Sequence, residues 1–536
     1  MSRLFRHLAA LLLLFPLVPA ASRSAPVPAN LVQNAAFTAT TPTAYTLTGD
    51  VEYRYLGDPH REVAPYGVAL QSDKTANATH AGCVSQTVAG MDPKSGRWYR
   101  FTFRGLPQEN FILDGDALVM KVEFFAGTSV YDGKAKHLYS LIQQERKDLA
   151  VNGDHRVNGA AVWHTYELDV YLPTPQIDSV RLSVSFDHPA PRLAHAEDSN
   201  FFVTDFSLTR IDAPAPPPAE PATRPAIARP DNLIPIGGRW FYKANPGETT
   251  VPKLFTADNA DRLIYHDDQW SAPFAGQMSS WLRAGDLDLA GNVVEKDRPV
   301  PDAVTVGFDA TSMIIHSKNL PNHPTGKFPE EGFGNPNYIQ EKRNTFYIPL
   351  NPKENPGHIA TAIDNSNHAL PMGPIGVAAN GVVFFNPFDA GSQDASNIMD
   401  YCCGHPSPDN TYHYHKYPIC INSPWADEGN AHSPLIGWAF DGFPIYGPYV
   451  KANLLAKDAK GEEGLNDFNL HTDKDRGPHY QVTPGKFPYI IGGYWGTADP
   501  RDTQRGPGGG MGGPGAGPGR GPGRGPPNGG LGPPPQ

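Results

Sequence analysis

The sequence predicts a mainly β protein: an N-terminal β-sandwich, then a second β-rich, loop-rich domain with an internal duplication. Three observations predict it. Short apolar–polar alternations recur through residues 30–211, with turn formers between them and no long helical periodicity. A Pro- and Ala-rich run at 212–230 interrupts the chain and cannot bury a core. Beyond it, segments 375–387 and 436–448 share one apolar–turn–apolar pattern, and each is followed by a histidine pair of the same internal spacing.

Taken in order, residues 1–21 read as a secretory signal. Arg3 and Arg6 form a basic start, Leu8–Val18 is a short apolar core, and small residues close it at Ala20 and Ala21. The core is too short for an ordinary membrane span, and no other stretch is long and apolar enough. The expectation is an exported chain, secreted or periplasmic or at the cell surface, with no transmembrane span once mature. The sandwich at 30–211 is expected to contain strands at Val84–Val88, Trp98–Phe103, Leu118–Phe125, Thr165–Leu172, Val180–Phe186 and Phe201–Leu208. The linker at 212–230 is expected to be extended and to separate two bodies. The second domain spans 231–500, and only Asn453–Ala459 offers a short helix. The tail at 505–536 is almost all Gly, Pro and Arg and is expected to be disordered. The chain carries 44 basic and 55 acidic residues, a net charge of −11, with the basic residues dispersed, which argues against a nucleic-acid groove.

The two similar segments each place a turn pair, Asn380-Gly381 or Asp441-Gly442, between apolar runs, the pattern of a tight hairpin. Pro444 has no N–H for a ladder, so its strand is expected at an edge or a bulge. His405 and then His413 follow the first hairpin, and His471 and then His479 follow the second. A duplicated unit often packs about a pseudo-twofold axis, which would bring both histidine sets to one seam.

The chemistry concentrates in Tyr412-His413-Tyr414-His415. On a strand, alternate side chains share a face, so His413 and His415 point one way and Tyr412 and Tyr414 pack on the other. The turn formers Pro406–Asn410 can fold His405 back to the same point. Three neutral imidazoles suit a divalent transition metal, zinc or copper, with an open position for water. His471 or His479 are candidates for an additional ligand or an outer contact. Asp400 and Asp441 are candidate carboxylates beside the site, with a turn-forming role as the plainer reading. The bland alternative is a buried hydrogen-bond network of imidazoles and phenols in a non-catalytic surface or matrix protein. His316, His323, His358, His368 and His432 stand outside the repeat.

Export would permit a disulfide among Cys83, Cys402, Cys403 and Cys420. Cys402–Cys420 would close a loop around the histidine motif, and Cys403–Cys420 is the alternative. Cys83 is expected to be a buried free thiol. The sequence has no His-Glu-x-x-His, Gly-x-Ser-x-Gly, P-loop or Cys-x-x-Cys-His, which argues against the enzyme classes that use them.

Asp400, Cys402, Gly404-His405-Pro406, Tyr412–His415 and Pro418-Ile419-Cys420 together resemble the motif of the YHYH-domain family of secreted proteins. Asp441–Gly447, Asn319–His323 and Phe487–Gly492 extend the resemblance over about 300–496. The family implies no settled activity. The chain departs from it at Cys403, an extra thiol, and at Pro478 and Gln481, which put a second metal centre in doubt. The sandwich, from its Asn30-Leu31-Val32 opening to its Phe201–Leu208 closing strand, resembles carbohydrate-binding jelly-roll modules. That resemblance implies a jelly-roll-like fold and, as partner, an extracellular polysaccharide or cell-envelope glycan.

Overall fold

A computed structural model describes residues 29–503, apart from 57–65, 72–79, 108–117, 139–155, 189–199, 213–229, 266–279, 422–426 and shorter stretches. The signal segment 1–21, nearly all of the 212–230 linker and the tail 505–536 lie outside the described residues. Among the described residues, no helix is long and apolar enough to cross a membrane.

Beside a short pairing of Arg156–Val157 with Ala160–Ala161, two five-stranded sheets make up most of the first body. Its strands are β1 (Thr46–Gly49), β2 (Val51–Tyr55), β3 (Tyr66–Gln71), β4 (His80–Ala89), β5 (Trp98–Pro107), β6 (Val119–Ala126), β7 (Ser129–His137), β8 (His164–Tyr171), β9 (Ser179–His188) and β10 (Asn200–Arg210). One sheet runs β1-β4-β9-β6-β7 and the other β8-β5-β10-β3-β2. All six expected strands are present; four are a few residues longer, and those expected at 118–125 and 165–172 keep their length with a shift of one residue. Alternate residues point inward, as in Met120, Val122 and Phe124 of β6 facing the shared core with Phe101 and Phe103 of β5. Cys83 is free, as expected, but half-buried rather than buried.

An eight-stranded sheet dominates the second body. Its members are β11 (Pro374–Ala378), β12 (Val383–Phe385), β13 (Gly404–Pro406), β14 (Tyr412–Tyr414), β15 (Leu435–Ala439), β16 (Pro444–Tyr446), β17 (Leu470–Asp473) and β18 (Gly477–Gln481). Their order is β13-β14-β12-β11-β15-β16-β18-β17. Read from the centre outwards, both halves run hairpin, parallel strand, edge strand. β12 pairs parallel with β14, and β16 pairs parallel with β18. Both hairpin turns use a glycine at positive φ, Gly381 at 83° and Gly442 at 94°. Strand β16 is not at an edge, because β18 flanks it. Pro444 is tolerated there as the strand's first residue, opposite Trp438, and the ladder it opens has a register shift further along, between Leu435 and Gly437. The expected short helix is one 3-10 turn at Ala456–Asp458.

The halves meet where β11 pairs antiparallel with β15, Gly376 opposite Ala439 and Ala378 opposite Gly437. A Cβ on Gly437 would strike the carbonyl oxygen of Val377, and one on Gly376 would lie 2.5 Å from that of Trp438. Gly437→Ala should therefore destabilise the protein by about 1–3 kcal/mol, read as a lowered unfolding midpoint. An unchanged midpoint would mean that the central strands are not this close.

The two bodies touch, so the linker does not hold them apart. Tyr449 and Leu455 of the second body complete the sandwich core. Lys416 pairs with Asp132 of β7, and the Lys457 ammonium donates to the carbonyl of Tyr131 at 2.8 Å.

A second buried acid gives the fold a pH dependence. Asp286 accepts a hydrogen bond from the Arg283 N–H at 2.8 Å, yet burial pushes its pKa up to about 7. The fold thus holds a proton that the unfolded chain releases near the ordinary carboxylate value. Its contribution to stability is complete at low pH, is lost as pH rises from about 4 to about 7, and is flat above. Asp286→Asn should remove that slope and stabilise the protein at pH 8 by at most about 4 kcal/mol. Parallel unfolding curves of the two proteins from pH 4 to 8 would refute it.

Candidate metal centre

Strands β13 and β14 form a hairpin whose loop is tied by Ser407 and Asp409. The Ser407 N–H donates to the Thr411 carbonyl at 3.0 Å, the Thr411 hydroxyl donates to Asp409 Oδ2 at 2.9 Å, and Asn410 takes φ 65°. This turn sets a register in which His405 lies directly opposite His413. His415, two residues on, shares the face of His413. The three rings are 5%, 2% and 2% exposed, and Phe385 stacks on His413 at 3.8 Å between centroids.

Their Nε2 atoms converge. The separations are 3.0 Å for His405–His413, 2.9 Å for His413–His415 and 3.2 Å for His415–His405. An ion bound at about 2.0–2.1 Å with tetrahedral angles needs ligand atoms about 3.3 Å apart, close to this triangle. The other ring nitrogens fix the protons. His413 Nδ1–H donates to the Thr411 carbonyl at 2.8 Å, and His415 Nδ1–H donates to the Asn386 carbonyl at 2.5 Å. A carbonyl only accepts, so each Nδ1 carries the hydrogen and each Nε2 presents a lone pair. Burial pushes both rings below the ordinary imidazole value, and neighbouring rings add to the effect. His413 lies well below it and His415 at about 3. Both rings are neutral at neutral pH, the form that ligates a metal.

The tyrosines occupy the opposite face and do more than pack. Tyr412 donates to Asp400 Oδ2 at 2.8 Å. Tyr414 donates to His323 Nε2 at 2.5 Å and accepts from Asn380 Nδ2 at 3.0 Å. Asp400 also accepts from the N–H groups of Gly326, Cys402 and Gly404, so it shapes the loop. Asp441 is spent on Tyr480, at 2.6 Å, and the Gly496 N–H. Cys402 is bonded to Cys420 across a separation of 18 residues, which closes the loop around the motif. Cys403 is a buried free thiol, 3.2 Å from the ammonium of Lys134.

His471 and His479 do not reach this cluster. They sit opposite each other on β17 and β18, at the far end of the sheet, because each half carries its histidine hairpin outermost. The two sets therefore do not share a seam. His432, one of the histidines outside the repeat, joins His471 and His479, and their ligand atoms lie within 4.8 Å of one another. No motif in the sequence marks it, and the residue equally far before the first hairpin is Pro371. His323 closes the Asn319–His323 segment that resembles the family, and the fold brings it to Tyr414 across 91 residues of chain.

Residues 345–490 match the model of a family described as "YHYH protein". No curated protein matches the chain. Among solved structures, the enzymatically active domain of tailspike protein 4 of bacteriophage CBA120 matches at 13% identity and a TM-score of 0.23. That match covers 34% of this chain and 21% of the tailspike domain, so this chain spans about a fifth of that solved domain. A family 61 carbohydrate-binding module solved with β-1,4-galactotriose matches at 14% identity and TM-score 0.21, covering 34% of this chain and 99% of the module. A family 11 carbohydrate-binding module of a Clostridium thermocellum cellulase matches at 11% and 0.20, covering 35% and 97%.

Proposed function

We propose that the chain is an exported protein whose YHYH-type domain holds one divalent transition-metal ion, zinc or copper, on His405, His413 and His415. The observation that carries this reading is a pair of lone pairs. His413 and His415 both commit their Nδ1 hydrogens to backbone carbonyls, and their Nε2 atoms then face each other at 2.9 Å. Two acceptors at that distance repel, and a cation held between them and His405 relieves the repulsion. A metal with an open position would polarise a bound water. The deep burial of all three rings favours a holding role, in which the ion ties β13, β14 and the start of the next loop together. The disulfide at Cys402–Cys420 is in keeping with export.

The test is metal analysis of the full-length protein purified without a histidine tag. One equivalent of zinc or copper is expected at this site, lost in a His413→Ala/His415→Ala variant that still folds. A fully folded wild-type chain with no metal and no affinity for added zinc would leave the non-catalytic scaffold with a structural histidine–tyrosine cluster.

For the sandwich, we propose a glycan-contacting face at the β2 edge. Tyr55 is 57% exposed there and packs on Tyr66, which stacks on Tyr53 at 5.8 Å, and exposed aromatic faces are suited to sugar rings. Binding of the full chain on a glycan array, weakened at least tenfold by Tyr55→Ala, is the expected outcome. Equal binding by the variant removes this face.

A further inference from the structure

We propose that His432, His471 and His479 hold a second divalent transition-metal ion, independent of the first. The far end of the sheet rebuilds the same donor geometry from a different ligand set. His471 lies opposite His479 as His405 lies opposite His413, with Nε2 atoms 3.0 Å apart. His479 Nδ1–H donates to the Gly477 carbonyl at 2.8 Å, as His413 does to the residue two before it. The first site takes its third ring from the i+2 position of the strand. Here that position is Gln481, and its amide NH2 is turned away, donating to the carbonyls of Gly447 and Tyr449.

The third ring comes instead from the loop before β15. His432 Nδ1–H donates to the Ser433 carbonyl at 2.8 Å, so its Nε2 presents a lone pair 3.3 Å from that of His479. A bridging proton would satisfy one pair of rings, whereas an ion satisfies all three at once. The three ligand atoms lie within 4.8 Å of one another, compact enough for metal–nitrogen bonds of about 2.0–2.1 Å. Tyr446 walls the site, with ring centroids 5.1 Å from His432 and 5.0 Å from His479. The nearby Asp473 carboxylate is held by Arg476 at 2.6 Å, so the donor set is nitrogen only, suited to zinc, copper, nickel or cobalt and poor for calcium or magnesium. His432 is only half-buried, whereas every ring of the first site is buried, so the second ion should exchange faster.

The experiment uses the full-length, untagged chain stripped of metal and titrated with cobalt(II) alone. Binding is read as visible d–d absorption and as bound cobalt after gel filtration, with near-ultraviolet circular dichroism reporting the fold. Two equivalents are expected for the wild type, one of them removed within minutes by a chelator. One equivalent should remain in His413→Ala, the fast one. It should disappear when His432→Ala, or His432→Gln should the alanine variant misfold, is added. A folded His413→Ala protein that binds no cobalt overturns the second site and leaves the first standing. A wild type with one equivalent, kept in His413→Ala and lost in His432→Gln, upholds the second site and removes the first. A His432→Gln protein that keeps both equivalents overturns the proposal.

Discussion

Stripping the metal from the His405–His413–His415 centre should lower the thermal midpoint of the protein by about 10 °C, and zinc should restore it. The cause is local. With no cation, the Nε2 acceptors of His413 and His415 face each other at 2.9 Å in a site 2–5% exposed. Each unsatisfied buried polar group costs about 1–3 kcal/mol. Mass action gives a similar scale, since an ion present at a thousand times its dissociation constant stabilises by about 4 kcal/mol. In a body the size of the second one, 231–500, each kilocalorie moves the midpoint by about 2–4 °C. His413→Ala should reproduce the drop and abolish its recovery, because His413 touches both other rings and is the ring on which Phe385 stacks. His316→Ala, an exposed ring on another sheet, should behave as the wild type. A midpoint that ignores both chelator and His413→Ala would remove the structural ion.

Lys416→Met should cost about 3–5 kcal/mol, through a residue that touches no metal ligand's ring nitrogen. The Lys416 ammonium lies 2.7 Å from Asp132 Oδ1 and donates to the Gly133 carbonyl at 3.2 Å, and both side chains are about 5% exposed or less. Burial pulls the lysine pKa down, but the Asp132 carboxylate and other nearby acids more than offset it, and the net shift is upward. Removing the lysine alone strands a carboxylate in a dry interface. Replacing both, as Lys416→Met/Asp132→Leu, should recover most of the loss, since the pair as a whole gains little over apolar packing. The pair joins β7 of the sandwich to the residue just after His415. Hydrogen exchange at 129–137 and 404–416 should therefore rise together in the single variant. A cost below about 1 kcal/mol would mean that the sandwich does not dock on the histidine motif in solution.

Local rules carried much of the structure. Alternation located all six expected sandwich strands, because each buries one face against a common core. β1, β2, β3 and β7 escaped: Thr46–Gly49 and Val51–Tyr55 are polar or half-exposed along most of their length, and β7 breaks its alternation at Asp132 and Lys134, which are buried as interface partners. Asn380-Gly381 and Asp441-Gly442 marked both hairpins, since few residues other than glycine adopt the positive φ of the second turn position. The same period-two logic put His413 and His415 on one face, and the turn after His405 supplied the third ring.

What the sequence alone determined is therefore whatever depends on neighbours: the strands, the turns, the common face of a histidine pair and the mainly β class. Only the tertiary structure decided which distant groups meet. It sent the two histidine hairpins to opposite ends of one sheet, where the sequence reading had them share a seam. It buried Pro444 in an interior strand, recruited His432 from the loop before β15, where the loop before β11 has Pro371, and set Lys416 against Asp132. The reason is physical. Strand alternation and turn conformation are set by a few consecutive residues, whereas strand order and docking follow from the apolar surface that the whole chain can bury, and that quantity belongs to no short segment.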